Sequence, residues 1–249
     1  MPDAIQIRNL KTIGDREIQG LSEVLIDCVE GGASVSFMLP MSRAKAEAFW
    51  RGTSASVARG ERVVLAAEDA AGAIVGTVQV ILAQPENQPH RGDLAKMLVH
   101  RRARRRGIGA ALLAAAERSA LSAGKTLLVL DTASGDAERL YARQGWQPCG
   151  QIPSYALWPD GTPCATTIYF SSCTTEAIAR GSIDLVVFGT DGARGSAVVL
   201  TAGSHSDARS PATSAPAAPC SGDYPVRAAR PSAHPVARLR SASRCPGRR

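Results

Sequence analysis

The segment from Lys96 to Gly109 contains the residues whose types and spacing best support chemistry. A short apolar run ends at Val99, an arginine-rich turn follows, and Gly107 and Gly109 open an amphipathic stretch. Glycines at the start of a helix let unpaired backbone N–H groups converge without a Cβ in the way, and the positive end of the helix dipole adds to their effect. With the nearby arginines, this pattern predicts a binding site for a pyrophosphate.

Other phosphate-binding loops fit this glycine pair less well. No Gly-Lys-Ser/Thr follows Gly109, which excludes a Walker A loop. The segment contains no G-x-G-x-x-G, and the preceding strands are predicted to be antiparallel. Both observations disfavour a dinucleotide-binding fold. The remaining alternative is a solvated basic loop whose glycines serve only local packing. The direct succession of strand, basic turn and helix favours the pyrophosphate site over it.

The elements that must position this turn are predicted from hydrophobic periodicity and from turn residues. Helices are expected over residues 15–29, 42–58, 107–122 and 136–143, with Ser42 as the N-cap of the second. Strands are expected over residues 5–10, 62–67, 73–83, 93–100, 127–130, 147–151 and 165–170. This order predicts an α/β (α+β) domain with a mixed sheet.

The turn resembles the coenzyme motif of the GCN5-related N-acetyltransferases, the GNAT family. That motif is Arg or Gln, two residues, Gly, one residue, and then Gly or Ala, and Arg104, Gly107 and Gly109 match it. The resemblance covers nearly all of residues 1–170 and includes the later segment 136–146. It implies a mixed, mostly antiparallel sheet flanked by helices, and acetyl-CoA as the co-substrate.

The resemblance also assigns the coenzyme site. It implies that the backbone of one continuous segment would hold the pyrophosphate of acetyl-CoA, namely Arg104, Arg105, Arg106, Gly107, Ile108, Gly109 and Ala110. The end of the preceding strand would hydrogen-bond the pantetheine arm as an added strand does, through Met97, Leu98 and Val99.

Three residues are candidates for proton transfer by the same resemblance. An amine is protonated at pH 7 and must lose a proton before it attacks a thioester. Asp131 would lie where the family's sheet splays, whereas Asp93 matches a base position that holds a longer Glu in one branch, so either is the candidate general base. Tyr141 matches a tyrosine beside the coenzyme sulfur and would protonate the departing thiolate. The simpler alternatives are a turn cap for Asp131, a surface charge for Asp93 and a packing role for Tyr141.

Three segments, 31–38, 130–132 and 167–170, are similar to the tabtoxin-resistance branch of the family. This similarity implies acetylation of a small-molecule amine, such as a toxin or an antibiotic-like amino acid, in resistance or detoxification. The apolar loop between the first two helices is expected to form a substrate wall with Ala33, Ser34 and Phe37. Three other possibilities are an enzyme for peptide or protein amines, a non-catalytic acyl-CoA-binding module, and a nucleic-acid-binding protein. The last is disfavoured because scattered aromatics offer no stacking platform for bases.

Charge and composition change along the chain. The formal net charge is +7, and residues 171–249 contribute ten Arg and five acidic residues to it. The rest of the chain is therefore close to neutral, and its charge does not indicate a polyanion partner. That C-terminal part is rich in Ala, Ser, Pro and Arg, with too little apolar area to offset the ordering entropy. We therefore expect an acetyltransferase domain over 1–171 and a low-complexity, disordered tail over 172–249, which is either a functional basic tail or an off-frame extension.

The remaining expectations concern compartment, cysteines and assembly. The first residues lack the basic start and apolar centre of a secretory signal, so we expect a cytoplasmic protein. None of the six cysteines forms a C-x-x-C pair, which predicts free thiols and no metal site. Cys28 and Cys149 are predicted to be core residues. No membrane partner is expected, and by the family resemblance the protein would be a monomer or a homodimer.

Overall fold

The predicted order of helices and strands is confirmed in the computed structural model, which describes residues 5–173. The chain forms β1 (Gln6–Asn9), α1 (Asp15–Glu30), α2 (Arg43–Ala58), β2 (Arg62–Glu68), β3 (Ile74–Ile81), β4 (Arg91–Val99), α3 (Ile108–Ser122), β5 (Leu127–Thr132), α4 (Gly135–Arg143), β6 (Gln147–Leu157) and β7 (Pro163–Ser172). A single turn of 3₁₀ helix, Arg101–Ala103, lies between β4 and α3.

The helix starts follow local capping chemistry. Ser42 is the N-cap of α2, as predicted, and its hydroxyl accepts a hydrogen bond of 3.2 Å from the backbone N–H of Lys45. At α1 the Glu17 carboxylate accepts from the backbone N–H of Gly14 at 3.1 Å. In the described chain no side chain caps α3, whose N-cap is Gly107. The N–H groups in the first turn of α3 are therefore left for another partner.

The strands form one seven-stranded sheet in the order β1-β2-β3-β4-β5-β7-β6. The β4–β5 pair is parallel, and the other neighbouring pairs are antiparallel. Within the described residues β4 and β5 pair only from Arg91 to Asp93, opposite Leu127 to Val129. Beyond Asp93 the two strands part, while β5 stays paired with β7 as far as Thr132. The sheet is therefore mixed and mostly antiparallel, as predicted, and it opens between its two central strands.

A bulge in β4 changes the face of the sheet to which the following side chains point. Thr77 pairs with Leu98, but Gln79 pairs with Ala95, so β4 contains one residue more than β3 over this stretch. Lys96 lies in the bulge with φ of +51°. On one side of the bulge Leu94 packs with α3, and on the other side Leu98 packs with α1 and α2.

Two apolar clusters hold the helices on the sheet. One cluster contains the buried face of α3, with Leu112 and Leu113, together with Tyr141 of α4. The other contains the buried face of α1, with Leu21 and Leu25, and the fully buried Trp50 of α2. Helices therefore flank the sheet on both faces, and burial of these apolar side chains is the main favourable contribution to folding.

Two cysteine predictions have different outcomes. Cys28 is buried on α1, as predicted, but Cys149 is exposed. The prediction for Cys149 was wrong because β6 is the terminal strand of the described sheet and almost every residue of it is exposed. Cys149 and the three other described cysteines are free thiols.

The proposed boundary of the domain falls within the last strand. Strand β7 continues to Ser172, and Cys173 is buried beside it. The rest of the expected tail lies outside the described residues. Among the described residues, no helix combines the length and the hydropathy that a membrane span requires.

Candidate active site

A cleft of about 1040 Å³ opens where β4 and β5 part. Five parts of the chain line it: the loop after α1, the second half of β4, the turn into α3, the segment from Asp131 into α4, and Trp158. The cleft thus brings together most of the site residues expected from the sequence, namely Ala33, Ser34, Met97, Leu98, Val99, Arg104, Arg105, Gly107, Ile108, Gly109, Ala110, Asp131 and Tyr141. Asp93, Arg106 and Phe37 are not among the described residues that line it.

The two glycines of the turn are required for different reasons. Gly107 has φ of +78°, a left-handed conformation that side chains disfavour. Gly109 lies against α4, where an added Cβ would be 3.1 Å from Cδ2 of Leu140. One glycine therefore shapes the turn, and the other lets α3 approach α4 closely.

The first turn of α3 presents backbone donors to the cleft. The N–H groups of Ile108, Gly109 and Ala110 precede the first intrahelical hydrogen bond, which Ala111 donates to Gly107 at 3.1 Å. All three residues line the cleft, as do Arg104 and Arg105. Uncapped N–H groups beside arginines are suited to bind a pyrophosphate.

Asp27 of α1 anchors the segment that leads into this turn. Its carboxylate accepts hydrogen bonds from the backbone N–H of Arg101 at 2.8 Å and from Nε of Arg101 at 2.9 Å. Burial opposes ionisation of Asp27, but these hydrogen bonds and the charges of His100 and Arg101 outweigh it, so the pKa of Asp27 is lowered. The sequence analysis missed Asp27, because nothing in its local pattern shows that α1 contacts the turn.

The second half of β4 supplies an open strand edge. Met97, Leu98 and Val99 line the cleft on the side where β5 has moved away. An unpaired strand edge can bind an extended ligand through main-chain hydrogen bonds. A second link to the turn is the hydrogen bond of 3.1 Å that Nε of Arg104 donates to the carbonyl of Val99.

Asp131 and Tyr141 lie in the same cleft. Asp131 is exposed at the end of β5, and its Oδ2 accepts a hydrogen bond of 3.1 Å from the hydroxyl of the buried Thr166. Tyr141 is 3% exposed, and its ring contacts the rings of Trp146 and Tyr169, each at 5.8 Å between centroids. Burial and the nearby charge of Asp131 raise the pKa of Tyr141, which keeps the phenol protonated. The cleft therefore presents a carboxylate and a neutral acid to one space.

Asp93, the other candidate general base, does not line the cleft. It pairs with Val129 at the last parallel contact before the strands part. Its carboxylate accepts a hydrogen bond of 3.1 Å from Gln84 and lies 3.2 Å from Nε of Arg91. These contacts hold the carboxylate of Asp93 where the two strands begin to part.

The loop after α1 is tied to the turn between β6 and β7. The hydroxyl of Ser34 donates to the carbonyl of Leu157 at 3.0 Å, and the backbone N–H of Leu39 donates to the carbonyl of Pro159 at 3.0 Å. Trp158, between these two carbonyls in the chain, lines the cleft. The sequence analysis missed Trp158, since a tryptophan in a turn carries no local sign of the distant loop that it faces.

Lys96 is another cleft residue that the sequence analysis missed as a site residue. Its ammonium group donates a hydrogen bond of 3.1 Å to Oγ of Ser36 and lies 5.8 Å from the ring centroids of both Phe37 and Phe49. Burial lowers the pKa of Lys96, although the negative charge of Asp131 acts in the opposite direction. Phe37 was expected to form part of the substrate wall. It does not line the cleft, and its ring instead packs near the ammonium group of Lys96.

Residues 59–148 match the family model of the acetyltransferase (GNAT) domain. Many solved structures share the fold, among them three of low sequence identity. The first is yncA from Salmonella typhimurium with its cofactor acetyl-CoA, at 16% identity over 69% of this chain and 95% of that chain, with a TM-score of 0.56. The second is a GNAT superfamily phosphinothricin acetyltransferase from Sinorhizobium meliloti in complex with acetyl-CoA, at 18% identity over 69% of this chain and 89% of that chain, with a TM-score of 0.56. The third is a ribosomal-protein-alanine N-acetyltransferase from Brucella melitensis, at 22% identity over 67% of this chain and 98% of that chain, with a TM-score of 0.55.

The described residues therefore have the fold of the GNAT acetyltransferases, and the match over residues 59–148 indicates an acetyl-CoA-dependent N-acetyltransferase. The residues present fit this co-substrate. The uncapped N–H groups of α3 and the arginines suit its pyrophosphate, and the open edge of β4 suits its extended pantetheine arm. Within residues 5–173 no group of three or more His, Cys, Asp or Glu side chains is arranged to hold a metal ion.

Proposed function

We propose that this protein acetylates the primary amine of a small molecule, such as an amino-acid-like toxin or antibiotic, and so acts in resistance or detoxification. The observation that carries the proposal is that Asp131 and Tyr141 share one cleft with the turn into α3 and the open edge of β4.

The two side chains would divide the proton transfers between them. Acetyl-CoA supplies the acetyl group as an activated thioester. The carboxylate of Asp131, exposed to the cleft, would accept the proton from the ammonium group of the acceptor, directly or through a water molecule. The protonated phenol of Tyr141 would donate a proton to the departing thiolate.

Asp131 is the better candidate for the general base. A base must reach the proton that it removes, either within hydrogen-bond distance or through one water molecule. Asp131 lines the cleft, whereas Asp93 lies outside the lining and already contacts Gln84 and Arg91. Among residues 5–173, Thr166 is the residue that donates a side-chain hydrogen bond to Asp131, so the other carboxylate oxygen is available to an acceptor.

The wall over the acceptor end favours a small acceptor over a peptide. The loop after α1 and the turn between β6 and β7 are joined by the Ser34–Leu157 and Leu39–Pro159 hydrogen bonds. An extended peptide would need an open groove between these two segments. The same contacts would instead enclose a compact amine beside Asp131.

Turnover of acetyl-CoA by the full chain, followed as release of free thiol, tests the proposal. The acceptor panel would contain amino acids, polyamines, aminoglycosides, a β-lactam amino acid and short peptides. We expect release with a compact amine and little with peptides. Release only with peptides would replace the proposed substrate class. Tight binding of acetyl-CoA without release on a wide panel would favour a non-catalytic binding module.

A further inference from the structure

The bulge in β4 places a positively charged side chain at the acceptor end of the cleft. Lys96 is the bulged residue, and it lines the cleft between Ala95 and Met97. Bulges often redirect a side chain next to an active site. Here the redirected side chain is a lysine that shares the cleft with Asp131.

The surroundings of Lys96 hold its ammonium group without neutralising it. Its hydrogen-bond acceptor among the described residues is a neutral hydroxyl, that of Ser36. The rings of Phe37 and Phe49 attract the cation through their faces but provide no acceptor atom. Lys96 makes no ion pair with any carboxylate of residues 5–173.

Such a group has capacity for an anionic ligand. An ammonium group has three donors, and the described contacts of Lys96 use one of them. A partly buried charge without a counter-ion is unfavourable, and an oxyanion from the ligand would relieve that cost. The pKa of Lys96 is lowered by burial, and a bound anion would shift it back.

The opposite charges in the cleft match a substrate that carries both. Asp131 would attract the ammonium group of the acceptor, and Lys96 would attract an anionic group on the same molecule. The two side chains are close enough for the charge of Asp131 to affect Lys96, yet they form no ion pair. A compact zwitterion would therefore contact both of them.

We propose that Lys96, with Ser36, binds a carboxylate of the acceptor, so that this site selects amines that also carry a carboxylate. The proposal rests on the proposed function, because it names the substrate class of the same cleft. It assigns Lys96 a role in substrate selection, while Asp131 keeps the proton transfer.

The preference of the wild-type full chain tests this directly. We would compare an α-amino acid with its amide and with its decarboxylated amine, all with the same side chain, by thiol release from acetyl-CoA. The amine of the amide is less basic than that of the amino acid, and the decarboxylated amine is more basic. If basicity alone decided the rate of thiol release, the rate with the amino acid would lie between those with the other two compounds. A carboxylate subsite would instead make the rate highest with the amino acid.

Three variants connect that preference to Lys96. Lys96→Met should reduce the ratio of kcat/KM between amino acid and amide by roughly 10- to 100-fold, as expected when a charge-assisted hydrogen bond is lost. Lys96→Arg should restore part of the ratio. Lys45→Met is the matched control, because Lys45 lies 5.7 Å from the same Phe37 ring but is exposed and outside the cleft lining. Its ratio should stay close to that of the wild type.

The outcomes separate the two proposals. If the wild-type protein used the amide or the decarboxylated amine with the same kcat/KM as the amino acid, the carboxylate subsite would be overturned, but the acetyltransferase function would not. An unchanged ratio in Lys96→Met would do the same. The absence of thiol release with every acceptor would overturn the proposed function and this subsite with it. If Lys96→Met fails to fold, the wild-type comparison and Lys96→Arg still decide the question.

Discussion

The two ends of the cleft are built from different kinds of groups. At the proposed coenzyme end, one continuous segment from Met97 to Ala110 presents backbone N–H groups and a strand edge. At the acceptor end, side chains from the loop after α1, from β5 and from the turn after β6 meet across long separations in the chain. A substitution at the first end should therefore act through backbone conformation, and one at the second through the functional group that it removes.

The largest effect is expected from Asp131→Asn. We expect kcat with the best acceptor to fall by about 100- to 10,000-fold, because the amide cannot accept the proton. The KM for acetyl-CoA should change little, since the change lies at the acceptor end. Steady-state thiol release measures both.

Asp93→Asn is the matched control for that change. It removes the same charge from a carboxylate outside the cleft lining, so kcat should change far less. A large loss in Asp93→Asn together with an active Asp131→Asn would reverse the assignment of the general base.

The coenzyme end is tested by a pair of glycine variants. Gly107 and Gly124 have φ of +78° and +76°, and at neither position does a heavy atom of the described residues lie within 4 Å of an added Cβ. Alanine at either position should therefore cost a similar free energy of unfolding, about 1–2 kcal/mol. Only Gly107→Ala should weaken acetyl-CoA binding, by about 10- to 100-fold, because the backbone donors of the turn would shift.

Calorimetric binding of acetyl-CoA and urea denaturation separate these two effects. If Gly124→Ala weakened binding as much as Gly107→Ala does, the loss would be due to general destabilisation. The turn would then have no special role.

Tyr141→Phe should have a smaller effect on the chemical step. We expect kcat to fall by about 10-fold, because a thiolate is a good leaving group that needs less help from an acid. In the wild type, burial and the charge of Asp131 raise the pKa of Tyr141, and the neutral phenol is the active form. Activity should therefore show no loss from tyrosine ionisation as the pH approaches 10.0, the ordinary value. A decline of kcat centred near that pH in the wild type, absent from Tyr141→Phe, would contradict this account.

The smallest effect is expected from Asp27→Asn, which tests how the coenzyme turn is held. The KM for acetyl-CoA should rise by only a few-fold, roughly the effect of one weakened charge-assisted contact. Hydrogen bonds from Arg101 keep the pKa of Asp27 below 3.8 despite burial. The folded protein therefore gains stability from this carboxylate above that pH and loses it as the pH falls through the lowered pKa. Urea denaturation of both proteins across this range should show a difference that disappears at low pH, and a pH-independent difference would contradict the prediction.

Sequence reasoning succeeded where structure is determined locally. Ser42 predicted the start of α2 because an N-cap acts on the N–H groups of the next turn. It failed for Cys149, whose place near a late strand suggested the core, because burial depends on whether another strand covers β6. It also missed Asp27, Lys96 and Trp158, whose partners lie far away in the chain or follow from a bulge.

The sequence by itself predicted the strand, the turn and the helix of the proposed coenzyme end, because these elements follow one another directly in one short segment. At the proposed acceptor end, only the tertiary structure showed which side chains share the cleft. The parting of β4 and β5 brings Asp131 into the cleft and leaves Asp93 outside its lining, and the bulge directs Lys96 toward Ser36. Register and strand separation arise from packing across the whole sheet, so no local pattern encodes them.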